Sequence, residues 1–319
     1  MSKLATIKQN WNESKWWREV FIPMAKNNMC NLFAKLYYSL NNIEFISVTD
    51  ADWDNLLILD ACRYDFFDEI NDIEGSLTKT YSQGSNSMSF LRRNFGNDDF
   101  SDIVVVTGNP YQKKVLDDTQ FHKVYHVWSS HWDKELQTVR PEAVTDVALE
   151  AAETHPNKRL LIHYMQPHFP FIGPWAQKHI GVTAGNLGAR EAVIGRETDP
   201  GEKTVFRRAE TGEISNEVLK RAYRENVEIA IEHASILIEK LSGKTVVTAD
   251  HGEMLGERAW PFPWQEYQHP GILAKKLIEV PWLVVEGNQR KEIIKEPPRG
   301  SEAVEEAKIQ DRLESLGYT

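Results

Sequence analysis

Short runs of consecutive apolar residues recur along the chain, separated by polar segments with helical spacing. The runs lie at residues 56–59, 103–106, 160–162, 245–247 and 282–285. Continuous apolar runs of this length are typical of strands buried on both faces of a parallel sheet. Between them, residues 142–153 and 217–241 repeat apolar side chains at three- and four-residue intervals. This alternation predicts an α/β fold, a three-layer αβα sandwich around a mostly parallel central sheet.

The same pattern divides the chain into two parts. Residues 1–50 predict an N-terminal helical segment packed on the core, and residues 51–319 predict one α/β domain. Residues 174–214 interrupt the pattern with several glycines and mixed charge, as an insertion. Both a lid near the site and a solvated excursion fit this insertion. Residues 301–318 have helical spacing and predict a docked C-terminal helix.

The N-terminal segment is rich in aromatic residues. Trp16, Trp17 and Phe21 precede a partly amphipathic stretch that ends at Tyr38. Two interpretations are open: a helix packed on the body of the protein, or a peripheral contact with a membrane surface. No run of about 18 apolar residues could span a bilayer.

Charge and cysteine content narrow the class of partner. The chain has 37 Lys and Arg against 47 Asp and Glu, a net charge of −10. Because nucleic-acid backbones are bound by clustered cations, we expect no nucleic-acid partner. Cys30 and Cys62 are too few for a disulfide framework, so we expect a reduced, cytoplasmic protein.

Two acidic motifs directly follow apolar runs. Asp60 follows the first run, and Asp250 and His251 follow the run at 245–247. The carboxyl ends of parallel strands are where α/β sheets bind ligands, and a carboxylate buried there needs a counter-charge. Gly252 is expected to let the chain turn so that Asp250 and His251 face one ion. Oxygen and imidazole ligands favour Zn²⁺ or Mn²⁺, with Ca²⁺ or Mg²⁺ as alternatives; by itself, Asp60 is also explained as a helix cap.

Two further segments carry candidate polar groups. His163 and His168 lie at the end of the run at 160–162 and in the loop after it. His163 is explained as a core residue, whereas His168 is the better candidate for contact with an anionic substrate. The serine-rich residues 81–90 are typical of a helix cap or an anion-binding turn, with a nucleophile as the alternative.

Together these motifs resemble the sulfatase-like proteins of the alkaline phosphatase superfamily, and most closely their small archaeal type. The resemblance covers residues 52–318, with motifs at 59–65, 81–89, 163–170 and 249–257, and with His269-Pro270 and Val280-Pro281 as the usual sequel. It implies an alkaline phosphatase-like fold in which residues 51–319 form the catalytic domain.

The resemblance also implies roles for individual residues. Ser87 would be the nucleophile, and Asp60, Asp250, His251 and Ser87 would hold a divalent cation. His168 and His269 would contact the anionic group or protonate its leaving oxygen. Arg63 would either contact substrate or orient the site by pairing with Asp65 or Asp250.

Some positions depart from the family pattern. Met88 and Ser89 follow Ser87, so the Cys/Ser-x-Pro-x-Arg stretch that sulfatases mature to formylglycine is missing. Leu59 replaces a second acid of the calcium cluster. A second metal would need Asp118 and His122 together with His269, but the sequence around them does not fit. Ser85 is the alternative nucleophile, because it lies two positions from Ser87.

We therefore expect a metal-dependent hydrolase or transferase that acts on a phosphate ester, less readily on a sulfate ester, through a covalent serine intermediate. The substrate would be a small-molecule, glycan or lipid-linked phosphoester, as in glycan or lipid-linked sugar modification. The alternative is a non-catalytic, metal-containing protein that binds phosphorylated or sulfated glycans. A dinucleotide-dependent oxidoreductase is disfavoured, since no strand leads into a Gly-x-Gly-x-x-Gly loop.

Overall fold

The computed structural model describes residues 12–96, 98–181 and 204–296, in which strands and helices alternate. The strands are β1 (Asn55–Asp60), β2 (Ser76–Tyr81), β3 (Phe100–Thr107), β4 (Phe121–His126), β5 (Trp132–Asp133), β6 (Thr138–Val139), β7 (Arg159–Pro167), β8 (Thr245–Thr248), β9 (Met254–Arg258), β10 (Gln265–Gln268) and β11 (Glu279–Val285). The helices are α1 (Ser14–Trp16), which continues through a π-helical turn (Trp17–Phe21) into α2 (Ile22–Leu40), then α3 (Tyr64–Ile70), α4 (Ser87–Phe95), α5 (Tyr111–Val115), a 3₁₀ turn (Asp118–Gln120), α6 (Val127–Ser130), α7 (Pro141–Thr154), α8 (Pro174–His179), α9 (Val205–Glu210), α10 (Asn216–Lys240) and α11 (Lys275–Ile278).

Among the described residues, seven strands form the central sheet, in the order β2-β11-β8-β1-β7-β3-β4. β1, β3, β4, β7 and β8 pair in parallel, whereas β11 runs antiparallel to both β8 and β2. The mostly parallel sheet predicted from the apolar runs is confirmed. The prediction that residues 282–285 form a parallel strand is wrong, because an apolar run reports burial and not strand direction.

Helices cover both faces of this sheet, as predicted for a three-layer sandwich. Leu57 and Leu59 point into one core, which contains residues of α3, α7 and α10. Leu56 and Ile58 point into the other, which contains Phe90, Leu91 and Phe95 of α4. Because alternate side chains of a strand lie on opposite faces, one uniformly apolar run supplies both cores.

The polar residues that end or follow the parallel strands lie at one edge of the sheet. β1 ends at Asp60, β8 is followed by Asp250, β7 leads to His168, and β3 is followed by Asn109. β2, which runs in the same direction as β8 because both pair antiparallel with β11, leads into the serine loop. The topology therefore gathers five separate loops at the carboxyl edge of the sheet.

The predicted insertion at 174–214 lies only partly within the described residues. Its ends form α8 and α9, which bury Ala176, Val205 and Phe206 in the larger core. Phe206 also contacts Phe169, beside His168, with ring centroids 5.1 Å apart. These ends are therefore not solvated excursions, while residues 182–203 and the helix predicted at 301–318 lie outside the described residues.

The N-terminal helix α2 packs on the body through one face. It buries Cys30, Ala34 and Tyr38 against a small cluster from residues 254–278. Tyr38 donates a hydrogen bond to the carbonyl of Leu273 (2.8 Å), and Asn27 donates one to the carbonyl of Pro270 (2.7 Å). Within the part of the chain that the structure describes, no helix is both long and apolar enough to cross a membrane.

The long helix α10 supports the loop that follows β7. Asn226 is fully buried, and its amide nitrogen donates to the carbonyls of Pro167 (3.3 Å), His168 (3.3 Å) and Pro170 (3.1 Å). Its oxygen accepts the amide hydrogen of Ile172 (2.8 Å). One side chain thus bonds four backbone groups of the segment that follows β7.

We predict that Asn226→Ala lowers the free energy of unfolding by about 2–4 kcal/mol, because four backbone groups lose the side-chain partner that they have among the described residues. Urea unfolding followed by circular dichroism measures this change. Glu228→Ala, an exposed position of the same helix, is the control and should stay within about 0.5 kcal/mol of the unchanged protein. Equal stability of the two variants would contradict the supporting role of Asn226.

Candidate metal centre

The turn after β1 places Asp60 at the sheet edge. The next residue, Ala61, has a positive φ of 61°, which is uncommon for a residue with a side chain. Its carbonyl accepts a hydrogen bond from the hydroxyl of Tyr223 (2.7 Å), and its amide donates to Oδ1 of Asp250 (3.0 Å). Contacts from α10 and from the loop after β8 therefore hold this turn in a strained conformation.

The turn after β8 leaves one carboxylate oxygen of Asp250 without a hydrogen-bond donor among the described residues. Oδ1 accepts the amide hydrogens of Ala61 and His251 (3.0 and 2.9 Å), whereas the buried Oδ2 has no hydrogen-bond partner among the described residues. Gly252 serves a purpose other than the one predicted. Its φ is not positive, but a Cβ there would lie 2.1 Å from the carbonyl oxygen of Lys276, so close backbone approach requires glycine.

Ser87 is the first residue of α4 and reaches the same point. Asn86 caps the helix by accepting the amide hydrogen of Ser89 (2.9 Å). The Ser87 hydroxyl then lies 3.4 Å from Nε2 of His251. Gly84 permits this entry, since a Cβ there would meet the backbone nitrogen of Phe90 at 2.5 Å.

The four predicted metal ligands converge around one position. Nε2 of His251 lies 3.5 Å from Oδ1 of Asp60 and 3.5 Å from Oδ2 of Asp250, in addition to its contact with Ser87. Nδ1 of His251 lies 2.7 Å from the carbonyl of Gly252, to which it donates. This hydrogen bond fixes the tautomer that leaves the Nε2 lone pair toward the carboxylates.

His163 joins this cluster, although the sequence favoured a core role for it. It is fully buried in β7, and Nε2 lies 3.8 Å from carboxylate oxygens of both Asp60 and Asp250. Asp60, His163 and Asp250 each offer a ligand atom within 4.8 Å of the others. Its position in the middle of an apolar strand gave no signal to separate a ligand from a core histidine.

The buried polar atoms of the cluster fit a divalent cation. Oδ1 of Asp60, Oδ2 of Asp250 and both ring nitrogens of His163 lack hydrogen-bond partners among the described residues. Native proteins seldom leave such groups unsatisfied, and two buried carboxylates side by side need positive charge. Carboxylate, imidazole and hydroxyl groups are ligands that Zn²⁺ and Mn²⁺ accept.

Asn109, which sequence reasoning missed, orients Asp60. Its Oδ1 accepts the amide hydrogen of Tyr111 (2.8 Å), so its Nδ2 faces Asp60 and donates to Oδ2 at 2.6 Å. This bond occupies one carboxylate oxygen and leaves the other toward the cluster. An asparagine two residues after a strand is common in turns, and nothing in the sequence marked this one.

A second group of ligand-type residues lies beside the first. His168, Glu253 and His269 bring one nitrogen or oxygen each within 4.8 Å of the others. Nδ1 of His168 donates to the carbonyl of Phe169 (2.7 Å), and Nδ1 of His269 lies 3.3 Å from Oε1 of Glu253. The structure brings Glu253 into this group and buries it.

Arg63 is buried and is not among the residues that line the cavity at the metal cluster. Its guanidinium makes a two-pronged pair with Asp65 (2.9 and 2.7 Å) and a further bond to Glu257 (2.7 Å). Of the two roles left open, substrate contact does not fit this position, while orientation of the motifs at 60–65 and 250–257 does. The partner is Asp65 and not Asp250.

The alternative residues named from the sequence take other positions. The Asp118 carboxylate lies next to the edge strand β4, where it contacts the ammonium group of Lys113 (2.9 Å) and the ring of His126 (3.0 Å). His122 lies near the start of β4, whereas the site forms where the strands end, so this pair does not supply a second metal site. Ser85 has its amide bonded to the hydroxyl of Ser89 (3.2 Å) and is absent from the cavity lining.

A cavity of about 230 Å³ opens onto the cluster. Its polar lining includes Asp60, Ser87, His168 and His269, and its apolar wall is formed by Met88, Met165 and the ring of Tyr111. The volume suits a phosphate-sized group with a short substituent. The cavity is therefore shared by the candidate nucleophile Ser87, the buried carboxylate of Asp60, and the two histidines His168 and His269.

Burial and charge shift the pKa values of these groups in different directions. Burial, and then the Asp250 carboxylate, raise the pKa of Asp60 well above its usual range. Burial lowers the pKa values of His163 and His168 to about 4, so both are neutral near pH 7. Although burial acts in the other direction, the neighbouring Glu253 raises the pKa of His269. The site thus pairs a neutral histidine with one disposed to carry a proton.

Comparisons with known proteins find similarity in structure. No family model matches the chain, and no curated protein matches it. A lipooligosaccharide phosphoethanolamine transferase A from Neisseria meningitidis, an integral membrane protein, aligns at 12% identity and a TM-score of 0.46 over 73% of this chain and 47% of its own. This chain therefore spans about half of that protein.

Two further solved structures are similar. The C-terminal periplasmic domain of EptC from Escherichia coli, in a complex with Zn, aligns at 14% identity and a TM-score of 0.44 over 77% of this chain and 76% of its own. A protein in the alkaline phosphatase superfamily from Vibrio parahaemolyticus aligns at 12% identity and a TM-score of 0.40 over 75% of this chain and 61% of its own.

These matches are likenesses of fold only, at identities of 12–14% and TM-scores of 0.40–0.46. The resemblance stated from the motifs agrees with them at the level of the fold, and its archaeal part stays a prediction. The chemistry of the site has to be worked out from this chain's own side chains.

We predict that Asn109→Ala weakens Zn²⁺ binding by about 10–100-fold, since Asp60 loses the donor that fixes its orientation. Competition with a chromogenic zinc chelator measures the dissociation constant without any substrate. Tyr111→Phe changes the same cavity wall but keeps the backbone amide that orients Asn109, and should bind Zn²⁺ normally. If Asn109→Ala binds as tightly as Tyr111→Phe, Asn109 does not position Asp60.

We also predict that His163 makes the metal-free protein sensitive to acid. Its pKa is about 4 when folded and 6.5 in the absence of burial, so the unfolded chain binds more protons between these values. The stability is present above pH 6.5 and is lost as pH falls toward 4. Between pH 7 and pH 5 the loss from this group is about 2 kcal/mol. Urea unfolding at both pH values should show a correspondingly smaller loss for His163→Gln, and an equal loss would refute the assignment.

Proposed function

We propose that the protein is a metal-dependent phosphoester transferase or hydrolase that forms a covalent intermediate on Ser87. The observation that carries this proposal is the position of the Ser87 hydroxyl. It lies 3.4 Å from Nε2 of His251, beside two buried carboxylates with unsatisfied oxygens, and it lines the cavity. A serine that only capped a helix would not need a neighbouring imidazole, two buried carboxylates and an open cavity.

Asp60, Asp250, His251 and Ser87 would hold the cation, with His163 as a further ligand. A divalent cation bound there would lower the pKa of the serine hydroxyl and offset negative charge on the phosphoryl oxygens. The fit rests on the orphaned oxygens of Asp60 and Asp250 and on the lone pair of His251. Zn²⁺ and Mn²⁺ are the ions that this ligand set favours.

The chain's own groups account for the two halves of the reaction. Ser87 Oγ, which has lost its proton to solvent before the reaction, forms a bond to phosphorus while the bond from phosphorus to the leaving oxygen breaks, and it is released again in this deprotonated form. The leaving oxygen takes its proton from Nε2 of His269, whose Nδ1 faces the carboxylate of Glu253. In the second half, water or an acceptor hydroxyl attacks the phosphoserine, the bond from phosphorus to Oγ breaks, and the proton returns to His269.

His168 is suited to a different task. Its Nδ1 hydrogen is bonded to the carbonyl of Phe169, so in the neutral ring Nε2 can only accept. It would receive a hydrogen bond from a hydroxyl of the substrate or from the attacking group. The start of α4, where Ser87 lies, adds the favourable end of a helix to the anion site.

Phosphate esters fit better than sulfate esters. Sulfatases depend on a formylglycine residue, and the Met88 and Ser89 that follow Ser87 do not provide the sequence for its formation. Water and an acceptor hydroxyl compete for the same intermediate, so hydrolase and transferase share one site. The similar proteins named as phosphoethanolamine transferases make a phospho-alcohol the first group to test. The alternative of a non-catalytic glycan-binding protein rests on the degenerate stretch at residues 87–89.

We predict that the Zn²⁺- or Mn²⁺-loaded protein releases nitrophenol from an aryl phosphate monoester or diester and not from the sulfate ester. Ser87→Ala should lower kcat/KM by about 10³-fold or more, because the nucleophile is lost. Ser85→Ala is the matched control, with a similar substitution in the same loop, and should stay within about threefold. Intact-mass spectrometry after quenching should find a phosphorylated adduct that Ser87→Ala lacks.

Other results would lead elsewhere. Loss of turnover in Ser85→Ala with full activity in Ser87→Ala would move the nucleophile. Turnover of sulfate alone would overturn the assignment to phosphorus. Metal binding without turnover or adduct on any phosphate ester, including phosphatidylethanolamine as donor, would favour the binding protein.

A further inference from the structure

The outer face of α2 is apolar and open to solvent. Ten large hydrophobic side chains are exposed among the described residues, and eight of them lie between Val20 and Leu40. A ninth, Trp260, is 61% exposed and contacts Tyr37 of the helix, with ring centroids 5.5 Å apart. Single exposed hydrophobic residues are ordinary, but a concentration of this kind marks an interaction surface.

The spacing shows that these residues form one stripe. Ile22, Met29, Leu32, Phe33, Leu36 and Leu40 recur at three-, four- and seven-residue intervals, and Leu32 and Leu40 are 66% and 73% exposed. Cys30, Ala34 and Tyr38 form the separate, buried face. The helix is therefore apolar on two sides, and among the described residues only one of them packs on the body of the protein.

Charge favours an anionic surface as the occupant. Residues 14–40 carry Lys15, Arg18, Lys26 and Lys35 against a single acid, Glu19, in a chain whose net charge is −10. Lys26 is paired with Glu266 of the body, so it adds no free charge to the outer face. Lys35 is exposed and lies next to Leu32 and Leu36 on the helix. Because the body is acidic and the helix is cationic, an anionic surface attracts the helix and repels the rest of the protein.

A cavity beside the helix supports a lipid as the occupant. It measures about 420 Å³ and lies between α2 and the loop before α4. Ile43, Phe45 and Leu273 give it an apolar wall, and Lys35 and Arg93 contribute cations. This combination matches an acyl chain joined to a phosphate.

We propose that α2 is a peripheral membrane-binding helix that lies in the interface of an anionic bilayer, with the stripe from Ile22 to Leu40 in the acyl region and Trp260 at the headgroup level. Helices of this composition, with aromatic and aliphatic residues on one face and Lys at its border, bind in this way. The surface lies near the carboxyl edge of the sheet, because α2 packs on residues 270–278, so a bound membrane would lie on the same side as the metal centre.

Flotation of the full chain with vesicles tests the proposal. We expect it to float with vesicles of phosphatidylcholine and phosphatidylglycerol, to float less with phosphatidylcholine alone, and to dissociate as salt is raised. Leu32→Glu should lower the partition coefficient by about tenfold, since an exposed apolar contact is replaced by a charge. Ile294→Glu adds the same charge to another exposed hydrophobic position, at the opposite edge of the sheet, and should bind as the unchanged chain does.

Both variants alter exposed side chains, and equal melting temperatures verify that each folds. The proposal is overturned if the unchanged chain does not float, or if Leu32→Glu and Ile294→Glu float equally. It is also overturned if analytical ultracentrifugation without lipid finds a dimer that Leu32→Glu dissociates while no vesicle binding is seen. That result would assign the stripe to a second copy of the chain.

Discussion

Two carboxylates buried side by side are the constraint on which the rest of this structure depends. Asp60 and Asp250 are each at most 1% exposed, and each has one oxygen without a hydrogen-bond donor among the described residues. Removing both from water costs free energy that the core cannot return, unless positive charge is supplied. The surrounding imidazoles of His163 and His251 are themselves kept neutral by burial, so they offer lone pairs and little charge. The unsatisfied centre is the strongest physical reason to assign the site to a cation.

The fold holds this unfavourable centre through contacts from outside it. Tyr223 fixes the strained turn at Ala61, Asn226 satisfies the backbone of the His168 loop, and Asn109 orients Asp60. Arg63 links the two acidic motifs through Asp65 and Glu257. Although burial opposes it, pairing with Arg63 and Lys276 lowers the pKa of Asp65 to about 2, which keeps this brace charged at neutral pH. These neighbouring contacts hold the backbone around the site in place, so the oxygens and nitrogens at its centre need not make structural hydrogen bonds of their own.

The sequence was sufficient to predict site residues that directly follow an apolar run, and insufficient for residues whose neighbours come from distant parts of the chain. Apolar runs predicted the core strands, and Asp60, Asp250 and His251 could be placed because each follows such a run directly. The edge strand β2 was not predicted, since exposed residues such as Thr78 and Lys79 leave it without an apolar run. β11 was assigned the wrong direction, because burial on both faces does not specify parallel pairing. His163 and Asn109 were missed or undervalued because their roles arise only when distant strands are brought together.

The N-terminal helix connects the surface of the protein to the reacting side of the site. Its inner face bonds Pro270, Gly271 and Leu273 through Asn27, Asn31 and Tyr38, and His269 immediately precedes this segment. His269 is also the histidine whose position depends on a side-chain contact, with Glu253, and not on its own strand. A displacement of α2 would therefore move His269 before it moved Asp60 or Asp250, which are anchored in the central sheet. The groups proposed to bind a cation therefore lie at the ends of central strands, whereas the histidine proposed to face the substrate lies on a loop held by Glu253 and by the packing of α2.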